Sequence, residues 1–470
     1  MTDSQRPLGT DAITSQKRGE LALFTDFYEL TMLRAYEEHG MTDRAVFSLF
    51  VRKLPPGRNF LIACGVDDVL DALGSLVFAE EDIAYLSTQR AFAGSFLNRL
   101  AEFRFTGDVH AVPEGTPIFA NEPILEIVAP IGEAQLIETL VLNQTGLQMI
   151  LASKAARVVQ AAQGRPVVDF GGRRAQGLDA AVKGVRAFFV AGVSATSNVL
   201  AAKKYGIPVT GTMAHSFIAA CPSELEAFRR FAEVFPDTVL LVDTYDTLQG
   251  VRNVIELAHA LAPSFHVRGI RLDSGDLLRL SVEARRMLDE AGLSLLKIFA
   301  SGGLDEREID RLLRAGAPID AFGVGTDMSV SGDAPSLDIA YKLTEYGGTG
   351  RMKLSTGKRT LPGQKQVFRE IRDGRAVRDV IGRFNEVLPG RPLLAPVMRK
   401  GRRLPHAHPT LAAIRAYARD AFRVLPDDVQ ALAPVEHPFE VAISPMLAED
   451  ERRLREQIMK AIRSNAGGSG

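Results

Sequence analysis

Between residues 166 and 335, short apolar runs alternate with helical stretches, and every run ends in a small polar cluster. The runs are PVVDFG, IPVTGT, TVLLVD, VRGIRLD, LLKIFASG and IDAFGVG; the clusters are DFGGRRAQG, GTMAHS, VDTYDT, RLDSGD, ASGGLD and GVGTDM. Stretches such as TLQGVRNVIELAHALAP and DLLRLSVEARRMLDEAG lie between them with helical spacing. Strands alternating with helices build parallel βα units. Each helix carries the chain back to the same side, so all the clusters fall at the carboxyl ends of the strands. In a β/α barrel these ends form one rim, where barrel active sites sit. An open doubly wound sheet is the competing architecture.

The flanks read differently. Residues 1–19 are polar and suit a flexible tail, as do 465–470, NAGGSG. Residues 20–165 make an N-terminal α/β domain. It opens on TDFYELTMLRAYEEHG, where Asp26 can cap a helix, Glu29 sits three residues on and Gly40 can close it. AVFSLFV (45–51) reads as a strand, 65–105 as mostly helical, 107–130 as a small β unit, and 133–163 as a long helix broken near Gly146. The barrel core is placed at 166–335. From 336 to 464, short strands and turns precede a helix, PTLAAIRAYARDAF, with Pro409 in its first turn. This C-terminal α/β region is expected to pack beside the barrel and rejoin the N-terminal β unit.

Composition narrows the function. The formal net charge is -1, which argues against a dedicated nucleic-acid binder. The 2 cysteines, Cys64 and Cys221, have no metal-site spacing. No apolar stretch is long enough to span a bilayer, and the first residues lack a secretory apolar region; the cytoplasm is the expected compartment. The sequence contains no GxGxxG dinucleotide fingerprint, Walker loop, HExxH or GxSxG.

What remains is glycine beside hydroxyl and acid. Gly302, Gly303, Gly325 and Thr326 stand where backbone N–H groups could approach a phosphate, or where glycines merely make tight turns. Arg271 and Asp273 alternate onto one side of their strand; they could serve a ligand or form an internal salt bridge, with Ser274 as a helix cap. Asp243 joins them from VDTYDT, whose Asp246 also suits a helix cap. One functional arginine is expected from DFGGRR, beside Phe170. His215, between Thr212 and Ser216, is open to a catalytic or a purely structural role.

Together, TDFYELTM, DFGGRRAQG, GTMAHSF, LVDTYDTL, RLDSGDL and FGVGTDM appear in the order that they have in nicotinate phosphoribosyltransferases. The resemblance runs from residue 23 to 328 and less distinctly beyond. It implies an irregular type II α/β barrel with an added α/β domain, and an enzyme that joins nicotinate to 5-phosphoribosyl 1-diphosphate with ATP and Mg²⁺. Tyr28 and Phe170 would sandwich the pyridine ring. Arg173, Thr212 and Arg271 would lie near nicotinate and ribose. Asp243 and Asp273 would serve the ribose hydroxyls and the Mg²⁺-diphosphate, with direct metal ligands left open. Gly302, Gly303, Gly325 and Thr326 would cradle the 5-phosphate, and His215 would be phosphorylated by ATP.

The resemblance also implies a homodimer with shared sites, Tyr28 completing the partner's. Nicotinamide-using relatives carry an acid after the second barrel strand; the matching stretch AGVSATSN offers Ser194, which suits a carboxylate substrate. Rival readings are a nicotinamide- or quinolinate-using enzyme on this fold, and a non-catalytic sensor of a phosphoribosyl ligand.

Overall fold

The computed structural model describes residues 21–355 and 360–467. The tail expected over 1–19 lies outside them. Of that expected over 465–470, the backbone as far as Gly467 continues the helix Pro445–Gly467. The chain forms two compact units, one from residues up to Ile150 and from Ser336 onward, the other from Leu151 to Pro335.

The second unit carries the alternating pattern. Its parallel strands run in the order Ala195–Thr196, Val167–Asp169, Ala321–Val324, Lys297–Ser301, Gly269–Leu272, Val239–Leu241. The last strand in sequence therefore pairs with the first, Phe322 opposite Val167. A doubly wound sheet would instead reverse its strand order outward from a switch point, so the order is that of a barrel. The barrel is incomplete. Of the expected IPVTGT strand, only a single bridge from Val209 to Thr196 forms. Among the described residues, no ladder links Val209 to Val239–Leu241. The seam so left holds the GTMAHSF segment. Ile270, Leu272, Ile298, Ala300, Phe322 and Val324 are all buried, which explains why these strands read as continuous apolar runs.

In the first unit, a seven-stranded antiparallel sheet has Arg44–Val51 near its centre, between Ile339–Tyr346 and Leu125–Pro130. Segments from both ends of the sequence thus share one sheet. A four-stranded sheet contains Lys365–Arg372 and Arg375–Arg383. Three expectations fail locally. The helix Glu138–Ala161 runs unbroken through Gly146, and the break falls at Ile137, after Ile131–Leu136. Asp26 stands at the head of Phe27–Glu38 without capping it, because its carboxylate accepts from the Thr139 hydroxyl at 2.7 Å. Pro409 stands before the helix Leu411–Arg423 and not in its first turn; Thr410 caps it, accepting from the Ala413 N–H.

Candidate active site

The barrel strands end in residues that converge. Arg271 and Asp273 do lie on one side of their strand: Arg271 Nη1 is 3.7 Å from Asp273 Oδ1. The same guanidinium donates through Nη2 to the Met213 carbonyl at 3.0 Å, tying the seam segment to the rim. It also sits 5.8 Å from the centre of the Phe170 ring. Burial lowers the Arg271 pKa from its ordinary value, against the pull of Asp273 and Asp243, and the Arg173 charge adds to the lowering. Two guanidinium groups facing one space make it receptive to an anion.

The two acids are linked. Asp243 Oδ2 accepts from the Asp273 backbone N–H at 3.0 Å and from the Ser274 hydroxyl at 2.5 Å. Ser274 therefore braces Asp243, and Asp276 takes the capping role, accepting from the Arg279 N–H. Asp246 is likewise a cap, accepting from the Gln249 N–H. Asp273 Oδ1 accepts from the Ser301 hydroxyl at 2.5 Å, and its Oδ2 lies 3.8 Å from His215 Nε2. His215 Nδ1 shares a hydrogen bond with the Thr244 hydroxyl at 3.1 Å. Asp243 Oδ1 is shut from solvent and meets no donor among the described residues. An ionised oxygen left so is costly unless a cation or a ligand hydroxyl meets it. This donor set fits a hard divalent cation, which oxygen ligands hold.

The expected phosphate loops stand beside these acids. Gly302 and Gly303, both exposed with positive φ, follow Ser301 directly. A side chain at Gly302 would collide with the Asp273 carbonyl, so only glycine lets the two loops approach. Gly325 and the exposed Thr326 follow the Ala321–Val324 strand. Gly323, within that strand, has the Phe170 ring where its Cβ would be, so the ring lies against bare backbone. A 660 Å³ cleft is lined by Phe170, Arg173, Ser197 and Asn198 among others. Thr212 is half-buried in the seam, its hydroxyl donating to the Met213 carbonyl at 3.3 Å.

Ser194 is not brought to this rim. It precedes its strand, and its N–H donates to Val167 O at the amino end of the neighbouring strand. The carboxyl end of Ala195–Thr196 leads instead into Ser197 and Asn198. Thr244 and Ser301 are the contacts that residue types did not single out, although both lie in or beside the quoted clusters. Asp169 is buried below the Arg173 loop, bracing it through the Gly171 N–H and the Thr196 hydroxyl.

Tyr28 belongs to the first unit, on the helix Phe27–Glu38, with 47% of its surface exposed. Its neighbour Glu29 is fully buried and accepts from Gln135 Nε2 at 2.6 Å. Burial raises the Glu29 carboxyl to about 7. Between its ordinary value near 4.5 and 7, the folded chain keeps a proton there that the unfolded chain has lost, so stability falls as pH rises through this window. Glu29→Gln is therefore expected to raise the melting temperature at pH 8 and to change it little at pH 4. Equal shifts at both pH values would show that folding does not move the Glu29 carboxyl from its ordinary value.

Known proteins match over this whole arrangement. A family model described as the nicotinate phosphoribosyltransferase N-terminal domain matches residues 23–145, and one described as the nicotinate phosphoribosyltransferase family matches 166–378. The chain belongs to the nicotinate phosphoribosyltransferase family. It is 54% identical over 434 residues to nicotinate phosphoribosyltransferase pncB2 of Mycobacterium tuberculosis, covering 92% of this chain and 94% of that protein. It is 40% identical over 363 residues to nicotinate phosphoribosyltransferase of Bacillus subtilis, covering 76% and 74%. Among solved structures, human nicotinic acid phosphoribosyltransferase superposes with a TM-score of 0.82 at 28% identity, covering 92% of this chain and 99% of that one. The type II α/β barrel with an added N-terminal domain is thus the fold of this chain.

Proposed function

We propose that this chain joins nicotinate to 5-phosphoribosyl 1-diphosphate, giving nicotinate mononucleotide and diphosphate in NAD biosynthesis, and that it hydrolyses ATP through a phosphohistidine at His215. The observation that carries this reading is the meeting of Arg271, Asp243, Asp273 and His215 on one barrel rim, in a chain of this family.

The chemistry follows from charge. As diphosphate departs, the ribose carbon gains positive character, as in glycoside cleavage. Asp273 and Asp243 offer negative charge to that sugar and to its hydroxyls. Arg271 and Arg173 hold the anionic partners, and Phe170 offers the pyridine ring a face worth ~1 kcal/mol beyond burial. Mg²⁺ on the diphosphate would be held by Asp243 and Asp273, and its charge would aid the leaving group. Gly302, Gly303, Gly325 and Thr326 receive the 5-phosphate. An imidazole nitrogen of His215 attacks the γ-phosphorus of ATP, the N–P bond forming as the P–O bond to ADP breaks, and water then cleaves the N–P bond to release phosphate and restore the imidazole. Tyr28 stacks on the pyridine of a partner's site in a homodimer.

Ser197 and Asn198, at the carboxyl end of the second barrel strand, are uncharged. No carboxylate there would repel nicotinate, so this position, rather than Ser194, carries the preference for the acid. The test compares nicotinate, nicotinamide and quinolinate with 5-phosphoribosyl 1-diphosphate and ATP. Nicotinate should lead in kcat/KM by about a hundredfold or more. Comparable turnover of nicotinamide would overturn the assignment, and ligand binding without diphosphate release would favour a sensor. No described helix is long and apolar enough to cross a membrane.

A further inference from the structure

The two loops assigned to the 5-phosphate share a buried partner. Lys154, on the helix Glu138–Ala161, is 1% exposed. Its ammonium lies 2.6 Å from Glu306 Oε2, 2.5 Å from Asp327 Oδ2 and 2.9 Å from Asp333 Oδ1. Glu306 begins the helix that follows the Gly302–Gly303 loop, and Asp327 follows Thr326 directly. Arg157, one turn along from Lys154, reaches Glu306 Oε1 at 3.0 Å. One helix therefore clamps both loops from beneath. Asp305 is committed elsewhere, capping the Glu308 N–H at 2.7 Å.

Carboxylates of Asp305, Glu306 and Asp327 come within 4.8 Å of one another, close enough to invite a metal ion. The Lys154 ammonium already stands between Glu306 and Asp327, so the positive charge there is the protein's own. Burial works against that charge, yet the hydrogen bonds to Asp327 and Glu306 leave the Lys154 pKa raised. Glu306 is held below its ordinary value in spite of burial, by Lys154 and then Arg157.

We infer that Lys154 is a positioning residue for 5-phosphoribosyl 1-diphosphate: it fixes the spacing of the Gly302–Gly303 and Gly325–Thr326 loops and offsets part of the carboxylate charge beneath them. The inference rests on the assignment of these loops to the 5-phosphate. Without Lys154, the acids at Asp327 and Asp333 would face a phosphate dianion across one turn of chain, and the loops would lose their common anchor. Phe170 is tied to the Ala321–Val324 strand by its own backbone bond, Phe170 N–H to Val324 O, in which Lys154 takes no part, so nicotinate binding should change far less.

The experiment is steady-state kinetics on Lys154→Met, with calorimetric binding of ribose 5-phosphate, a probe that carries the 5-phosphate but no diphosphate. Expected are a KM for 5-phosphoribosyl 1-diphosphate raised on the order of tenfold, ribose 5-phosphate weakened in parallel, and an unchanged KM for nicotinate. Lys154→Arg, which keeps the charge, should recover part of the loss. Should Lys154→Met fail to fold, Lys154→Gln, neutral and still a donor, gives the same comparison. Unchanged binding of both phosphate ligands, or equal losses for both substrates, would overturn the inference. Thr326→Val separates it from the assignment beneath it. If that variant binds ribose 5-phosphate normally, the 5-phosphate assignment itself falls. If it binds weakly while the Lys154 variants bind as wild type, only the role of Lys154 falls.

Discussion

His215→Ala is expected to lose ATP hydrolysis by about a thousandfold or more, while slow transfer of the phosphoribosyl group continues without ATP. The expectation follows from the position of the ring. His215 lies on the exposed seam, with Nδ1 on the Thr244 hydroxyl and Nε2 at 3.8 Å from Asp273. Nothing in the glycosyl step needs a phosphohistidine: the carboxylates, the arginines and the phosphate loops remain in the variant. What disappears is the nitrogen that could accept a phosphoryl group from ATP. The measurement is ADP release alongside nicotinate mononucleotide formed with and without ATP. Undiminished ADP release would place the phosphoryl acceptor elsewhere.

The second large effect is a recovery. Asp273→Ala should cost roughly a hundredfold to a thousandfold in kcat, because the carboxylate that faces Arg271, Ser301 and His215 is gone. The rim should survive the change, since Asp243 is held by the backbone N–H of residue 273 and by Ser274. Tyr28→Ala should be impaired for a different reason, the loss of a stacking face. Each chain alone would be poorly active. If Tyr28 completes the site of a partner, a mixed dimer holds one site with both lesions and one intact site. Random exchange makes about half of the dimers mixed, so roughly a quarter of wild-type activity should return. With subunit exchange verified, no recovery would place Tyr28 outside the partner's site.

Much of the candidate site could be read from local chemistry. A two-residue period puts Arg271 and Asp273 on one side, and the structure keeps them 3.7 Å apart. Asp246 has the residue type and position of a helix cap and is one. Elsewhere the tertiary structure overrides the local pattern. The two-residue strand Ala195–Thr196 is too short to show a hydrophobic period, whereas the apolar run IPVTGT reads as a strand but forms a single bridge, and Ser194 lies before its strand, away from the rim. Asp26 has the residue type of a cap but found a stronger acceptor role with Thr139.

The sequence by itself determined the alternation of strands and helices, the placing of polar residues just after each strand, and the glycines that those turns need. These are local properties, set by side-chain period and backbone freedom. Only the tertiary structure decided that the sixth strand pairs with the first, that the seam opens at GTMAHSF, and that Lys154 lies beneath both glycine loops. The physical reason is distance along the chain. Lys154 and Asp327 are far apart in sequence, and a lysine on a helix with apolar neighbours carries no mark of its partner. Its burial becomes favourable only when three carboxylates from separate turns arrive around it.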